Sequence, residues 1–274
     1  MKAEDSGVDL ETALDMAEAA LDRGESDTTL EICERVLATF GEHPGALFLA
    51  AEAHRELRDL EAAEDCYRRV VHIQPDHAPS WSGLAGALFD QLRFDEAFPY
   101  VSRAIRLDAT HPDAYWWRGL LRERRGDFTG SDRDIRRAHR LDPTFPKRVP
   151  LDDETLEAVV EECVQAMHPS IQEYLKQVTI LAEDIPEEDV LAGWDPPMPP
   201  AEILGYFTGS SLMDRTLDNP WSNLPSAIVL YRRNLERIAD DRERMLEELR
   251  ITVMHEVGHY LGLDEDDLTE RGLD

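Results

Sequence analysis

Apolar residues recur at three- and four-residue steps through the first half of the chain, and the whole pattern repeats every 34 residues. Shifting the sequence by that interval aligns Ile73–Trp81 with Leu107–Tyr115, and a further shift brings in LDPTF from Leu141. Bulky residues return at Leu47, Trp81 and Tyr115, and small ones at Ala51, Ala85 and Gly119. Later in each unit come Ala63, Ala97 and Ser131, then Tyr67, Val101 and Ile135. Each unit predicts two amphipathic helices joined by a tight turn, the small residues letting the helices approach closely. Beyond Pro150 the pattern changes. Residues 152–167 predict one amphipathic helix with Leu156, Val159, Val160, Cys163 and Met167 on one side. VTILAED (178–184), ILGYFTG (203–209) and SAIVLYRR (226–233) predict strands. The proline-rich WDPPMPP (194–200) between the first two cannot be helix interior. Leu246, Leu249, Val253, Val257 and Leu261 predict a long last helix over about 240–261, stopped by Gly262.

The 34-residue unit resembles the tetratricopeptide repeat (TPR). The resemblance implies repeats near 10–43, 44–77, 78–111 and 112–145, the first more degenerate, in a domain spanning 1–148. Three or four such units suffice to share a continuous core. Arg118 and Arg122 depart from the family, which usually has apolar or aromatic residues there; a frayed third full repeat, or one facing another domain, is the expectation. By the same likeness Phe48, Phe89 and Trp116 match positions that commonly face the concave groove. They are candidates for contact with a protein partner, against plain packing.

The predicted last helix carries HEVGHYLGLDE, His255 to Glu265. Two histidines four apart project from one helix face about one turn apart, which suits two imidazole nitrogens on one Zn²⁺. Glu256, one residue on, reaches a water there without being a ligand, which suits a general base. At this composition the bare H-E-x-x-H arises by chance in about three such chains in a hundred. The weight therefore rests on its helical setting, on Gly262 for a sharp turn, and on a carboxylate for the third ligand. Glu265 is the candidate, with Asp264 as the alternative in the run Asp264–Asp267; Asp267 is expected to cap a short final helix.

The spacing HExxH-xxG-xx-(Asp/Glu), preceded by a strand ending in LYRR, resembles the small bacterial zincin-like metallopeptidases. That resemblance covers about 152–274 and implies His255, His259 and Glu265 as ligands and Glu256 as base. The implied architecture is mostly α: an N-terminal α-solenoid plus a small α+β domain over 149–274, with a short mixed sheet and a long active-site helix. Larger relatives place a methionine turn well downstream. Only nine residues follow Glu265 here, so the floor of the site has to come from upstream. Among nearby residues, His168 is expected to cap a helix, Tyr260 to pack in the core, and Trp221 to anchor a turn or line a cleft. ILGYFTG is expected either as an edge strand that pairs with an extended peptide or as an interior strand.

Charge adds a preference among partners. The net charge is −29, and residues 151–274 hold 29 acidic against 9 cationic side chains, a difference of −20. Phosphate backbones are repelled, which argues against nucleic acid as a partner, while basic peptides are attracted; the alternative reading is a charge that serves only solubility or a salty cytoplasm. Cys33, Cys66 and Cys163 are too sparse for a disulfide framework or a thiolate metal site. Neither a signal-like start nor a membrane-length apolar run is evident, which predicts a cytoplasmic protein. The leading functional expectation is a zinc peptidase whose repeats recruit a protein substrate or partner. The alternatives are an adaptor whose zincin-like unit is structural or nearly inactive, and metal-dependent hydrolysis of a non-peptide amide or ester.

Overall fold

A computed structural model describes residues 9–194, 196–213 and 225–270. The chain divides into two compact units, one running to Phe145 and including Ala192–Met198, the other formed by Pro146–Leu191 with Pro199 onward. The first is a solenoid of helical pairs: α1 (Leu10–Leu21) with α2 (Ser26–Phe40), α3 (Pro44–Glu56) with α4 (Leu60–Ile73), α5 (Ala78–Asp90) with α6 (Phe94–Leu107), and α7 (Pro112–Arg124) with α8 (Phe128–Leu141). The recurring small positions and the later large ones are the core, while of the first bulky set Leu47 is buried and Trp81 and Tyr115 are half-buried. Ala51, Ala85, Ala63, Ala97, Ser131, Tyr67 and Val101 are fully buried, and Ile135 nearly so. A Cβ on Gly119 would lie 2.9 Å from Ile135 Cγ1, so the missing side chain sets the approach of α7 and α8.

The turns inside the pairs share one backbone device. Gly24, Arg58, Leu92 and Gly126, each 34 residues after the last, all have φ between 61° and 72°. Glycine enters this left-handed region freely; Arg58 and Leu92 do so at a cost of about 1 kcal/mol or more each.

The last repeat is not frayed. α7 is a complete helix, and Arg118 grips the buried Asp134 through two bonds of 2.7 Å. Arg122 lies 2.8 Å from the same carboxylate and donates to Gly130 O. The two arginines neutralise one buried acid, which explains their place among otherwise apolar positions.

In the second unit α9 (Asp153–Ala166), capped by Asp152, and α10 (Pro169–Leu175) lead into β1 (Val178–Glu183). α11 (Glu188–Leu191), β2 (Gly205–Thr208) and β3 (Ser226–Tyr231) follow, then α12 (Arg232–Leu235), α13 (Arg242–Leu261) and α14 (Glu265–Glu270). The sheet order is β1-β3-β2, with β1 parallel and β2 antiparallel to β3. Central β3 is the most buried strand, as its Ala-Ile-Val-Leu-Tyr run requires. Its Ile228 and Leu230 share a core with Leu156 and Val159 of α9 and with Leu249, Val253 and Val257 of α13.

The predicted third strand ends two residues early. Arg232 and Arg233 begin the helical turn α12, which brings Asn234 and Glu236 into the interior. Asn234 Nδ2 donates to the carbonyls of Pro200 (2.9 Å) and Ile203 (2.7 Å). Glu236, 1% exposed, accepts from the Arg148 guanidinium and from Leu151 N–H (2.9 Å), while its carbonyl accepts from Val149 N–H (2.7 Å). This one side chain ties the entering chain to the end of the sheet. Among the described residues no helix is long and apolar enough to cross a membrane.

Candidate metal centre

α13 starts at Asp241, whose side chain accepts from Arg244 N–H, and ends where Gly262 turns left-handed at φ 93°. Leu263 N–H then bonds Gly258 O (3.0 Å), closing a glycine-dependent helix stop. The chain reverses at once into α14, so Glu265 returns towards the last turns of α13.

His255 and His259 lie on one face of α13, their rings nearly perpendicular (82°) and their Nε2 atoms 3.0 Å apart. Glu265 places one carboxylate oxygen 3.3 Å from His259 Nε2 and the other 3.8 Å from His255 Nε2. One donor atom from each of the three lies within 4.8 Å of the others. An ion bound tetrahedrally at about 2.0–2.1 Å sets its ligand atoms about 3.3 Å apart, so the histidine pair is near ligand spacing and the Glu265 carboxylate has to close in on it. Two imidazole nitrogens and a carboxylate are also the donor set of an open, three-ligand zinc site. The residues therefore fit the metal. His259 Nδ1 lies 3.2 Å from Leu263 O; donation to that carbonyl leaves the Nε2 lone pair directed at the triangle.

Asp264 is engaged at the start of α14. Its Oδ1 accepts from Asp267 N–H at 2.9 Å, so Asp264 caps α14, the role expected of Asp267.

Glu256 is 5% exposed. Burial pushes its carboxyl up to about 7, opposed by the charge of His255 and by the Phe207 N–H bond, and aided by Glu265. β2 comes close because Gly205 has no side chain: a Cβ there would lie 3.1 Å from Glu256 Oε1 and 2.9 Å from Thr252 Cγ2. The Gly205 contact and the Phe207 amide were missed in the sequence. A glycine inside a strand pattern was the available signal, since it marks close backbone approach.

The other named residues fall as follows. His168 caps α10 by accepting from Ser170 N–H. Tyr260 is buried, its hydroxyl 3.3 Å from Tyr174 O and its ring against Phe207. Trp221 lies outside the described residues. Leu212 N–H bonds Tyr260 O (2.7 Å), and a Cβ on Gly262 would meet Met213 at 2.8 Å, so an upstream segment backs this end of α13. In the repeats, Phe48 is half-buried against Tyr67 and His77, and Trp116 is half-buried against Phe145. Phe89 is 2% exposed, packed between Phe94 and Trp117. It is a core residue and offers no surface to a partner.

Fold and site together define a helical-repeat scaffold joined to a metallopeptidase-like unit. Residues 175–273 match the family model of the zincin-like metallopeptidase, and 20–88 and 82–143 match two tetratricopeptide-repeat models. The chain thus carries tetratricopeptide repeats in its N-terminal part and a zincin-like metallopeptidase domain in its C-terminal part. It is 27% identical over 117 residues to the tetratricopeptide repeat-containing protein trd-1 of Caenorhabditis elegans, an alignment covering 43% of this chain and 14% of that protein. Similar solved structures include a thermophilic TPR protein of Thermus thermophilus (19% identity, 61% of this chain and 86% of that one, TM-score 0.45). Another is MamA from Desulfovibrio magneticus (16% identity, 57% and 84%, TM-score 0.42).

Proposed function

We propose that the second unit is a zinc-dependent peptidase and that the repeats recruit its protein substrate or partner. One observation carries this reading: His255, His259 and Glu265 converge donor atoms within 4.8 Å while Glu256, next along the helix, is buried beside them. Zinc at these donors would supply Lewis acidity and a water of lowered pKa. Glu256 takes the proton of the attacking water and hands it to the leaving amine. The Phe207 N–H holds that carboxylate in place. β2 lies at the sheet edge, and the Tyr231 N–H bond to Leu204 O sets an alternation that turns the backbone groups of Gly205 and Phe207 away from β3. With the Phe207 N–H taken by Glu256, an extended peptide adds to that edge through the Gly205 backbone and the Phe207 carbonyl. The excess of 20 negative charges in 151–274 favours a cationic one.

We also propose domain limits of 1–148 and 149–274, which differ from the two compact units by three residues at the junction and by 192–198. A cytoplasmic location fits the three buried, unpaired cysteines. The adaptor reading draws on the burial of Glu256, which restricts its access to water.

Elemental analysis and cleavage of unfolded and basic peptides separate the two. The peptidase binds one zinc per chain, cleaves, and loses cleavage on chelation or in Glu256→Gln. One zinc with no cleavage under any condition favours the adaptor, and no zinc overturns both.

A further inference from the structure

Gly258 lies in the last turn of α13, between the two histidines. Glycine there weakens a helix relative to alanine, so its presence calls for a packing reason. A Cβ on Gly258 would lie 2.3 Å from Leu268 Cδ2 and 3.6 Å from Leu268 Cγ. Leu268 is fully buried and has little room to yield. α14 therefore rests on α13 through a leucine seated where a side chain is missing. Leu268 is three residues beyond Glu265, hence on the same side of α14. The contact that seats the leucine also turns Glu265 towards His255 and His259.

We propose that Gly258 is a positioning residue: it sets the height of α14 over α13, and so the distance of Glu265 from the histidine pair. The inference rests on the zinc reading above. A carbon atom needs about 3.5–4.0 Å from its neighbour, so a methyl group on Gly258 pushes Leu268 Cδ2 by more than about 1 Å; because Leu268 is fully buried, its tip has no open space to swing into and the shift passes to α14. Metal–ligand distances tolerate about 0.2 Å. Glu265 would leave the triangle while both histidines, on the unbroken helix, stay.

The test is zinc affinity, measured by competition with a chromophoric chelator. Gly258→Ala should bind zinc about tenfold to a hundredfold more weakly than wild type. The double variant Gly258→Ala/Glu265→Ala should be no weaker than Glu265→Ala alone, because one residue acts through the other. Gly258→Ala/Leu268→Ala, which makes room for the methyl, should recover most of the loss. Wild-type affinity in Gly258→Ala, or losses that add to those of Glu265→Ala, would overturn the proposal. If Gly258→Ala does not fold, Leu268→Ala decides: removing the seated leucine should weaken zinc only while Glu265 is present. If wild type takes up no zinc, the metal reading fails separately. Amide exchange of 265–270 in the metal-free chain then decides the seat, faster in Gly258→Ala supporting it and unchanged overturning it.

Discussion

The repeat unit and the zincin-like unit are built on opposite principles. In the repeats each structural task is done several times at 34-residue intervals: a small buried residue at Ala51, Ala85 and Gly119, a large one at Tyr67, Val101 and Ile135. In the second unit each task is done once. One acid, Glu236, fastens the entering chain, and one glycine, Gly262, ends the long helix. Repetition averages over imperfect positions, while a structure made of single devices concentrates consequence in few residues.

Substitutions sharpen that contrast. Glu256→Gln should lower peptide cleavage by about 10²–10⁴-fold with zinc content unchanged and a melting temperature no lower than wild type, since it removes a buried ionisable group, read by parallel kinetics, elemental analysis and calorimetry. Glu236→Ala should cost the second unit about 3–5 kcal/mol, because the buried Arg233 guanidinium 3.9 Å away and the Leu151 N–H lose this carboxylate along with Arg148. Denaturant unfolding followed by amide exchange would show the loss in 146–191 and 199–270, and loss in the repeats instead would refute it. Ile135→Ala should cost about 2–4 kcal/mol, felt most in the last repeat, because a solenoid couples mainly nearest neighbours. A uniform loss across all four repeats would contradict that. Smallest is a gain: Leu92→Gly relieves a left-handed residue and should stabilise by up to about 1 kcal/mol. A lower melting temperature would show that Leu92 packing outweighs backbone relief.

The same contrast governs what the sequence discloses. Helical repeats were legible because the period restates the same burial pattern, and α13 because the His255–His259 spacing is itself a helical measure. Hidden features were those joining residues of unrelated position. The Arg118 and Arg122 departures have their reason in Asp134, on the next helix. Whether Phe89 packs or faces a partner was not legible, because its neighbours, Phe94 and Trp117, come from two other helices. The choice between Glu265 and Asp264 depends on how the chain turns after Gly262, and adjacent carboxylates carry no mark of which will cap and which will converge. The strand after Leu230 was drawn too long because Arg232 and Arg233 read as its continuation, while burial of Asn234 and Glu236 requires the bend.

The left-handed turn at Gly262 has a wider consequence. It brings the Leu263 carbonyl to His259 and sends the chain back so that Glu265 can return. A variant with a β-branched residue at 262 would keep all four reactive groups and still lose both the orientation of one ring and the return of the carboxylate. Inventory of functional groups would then pronounce the molecule intact, and only its backbone would betray the failure.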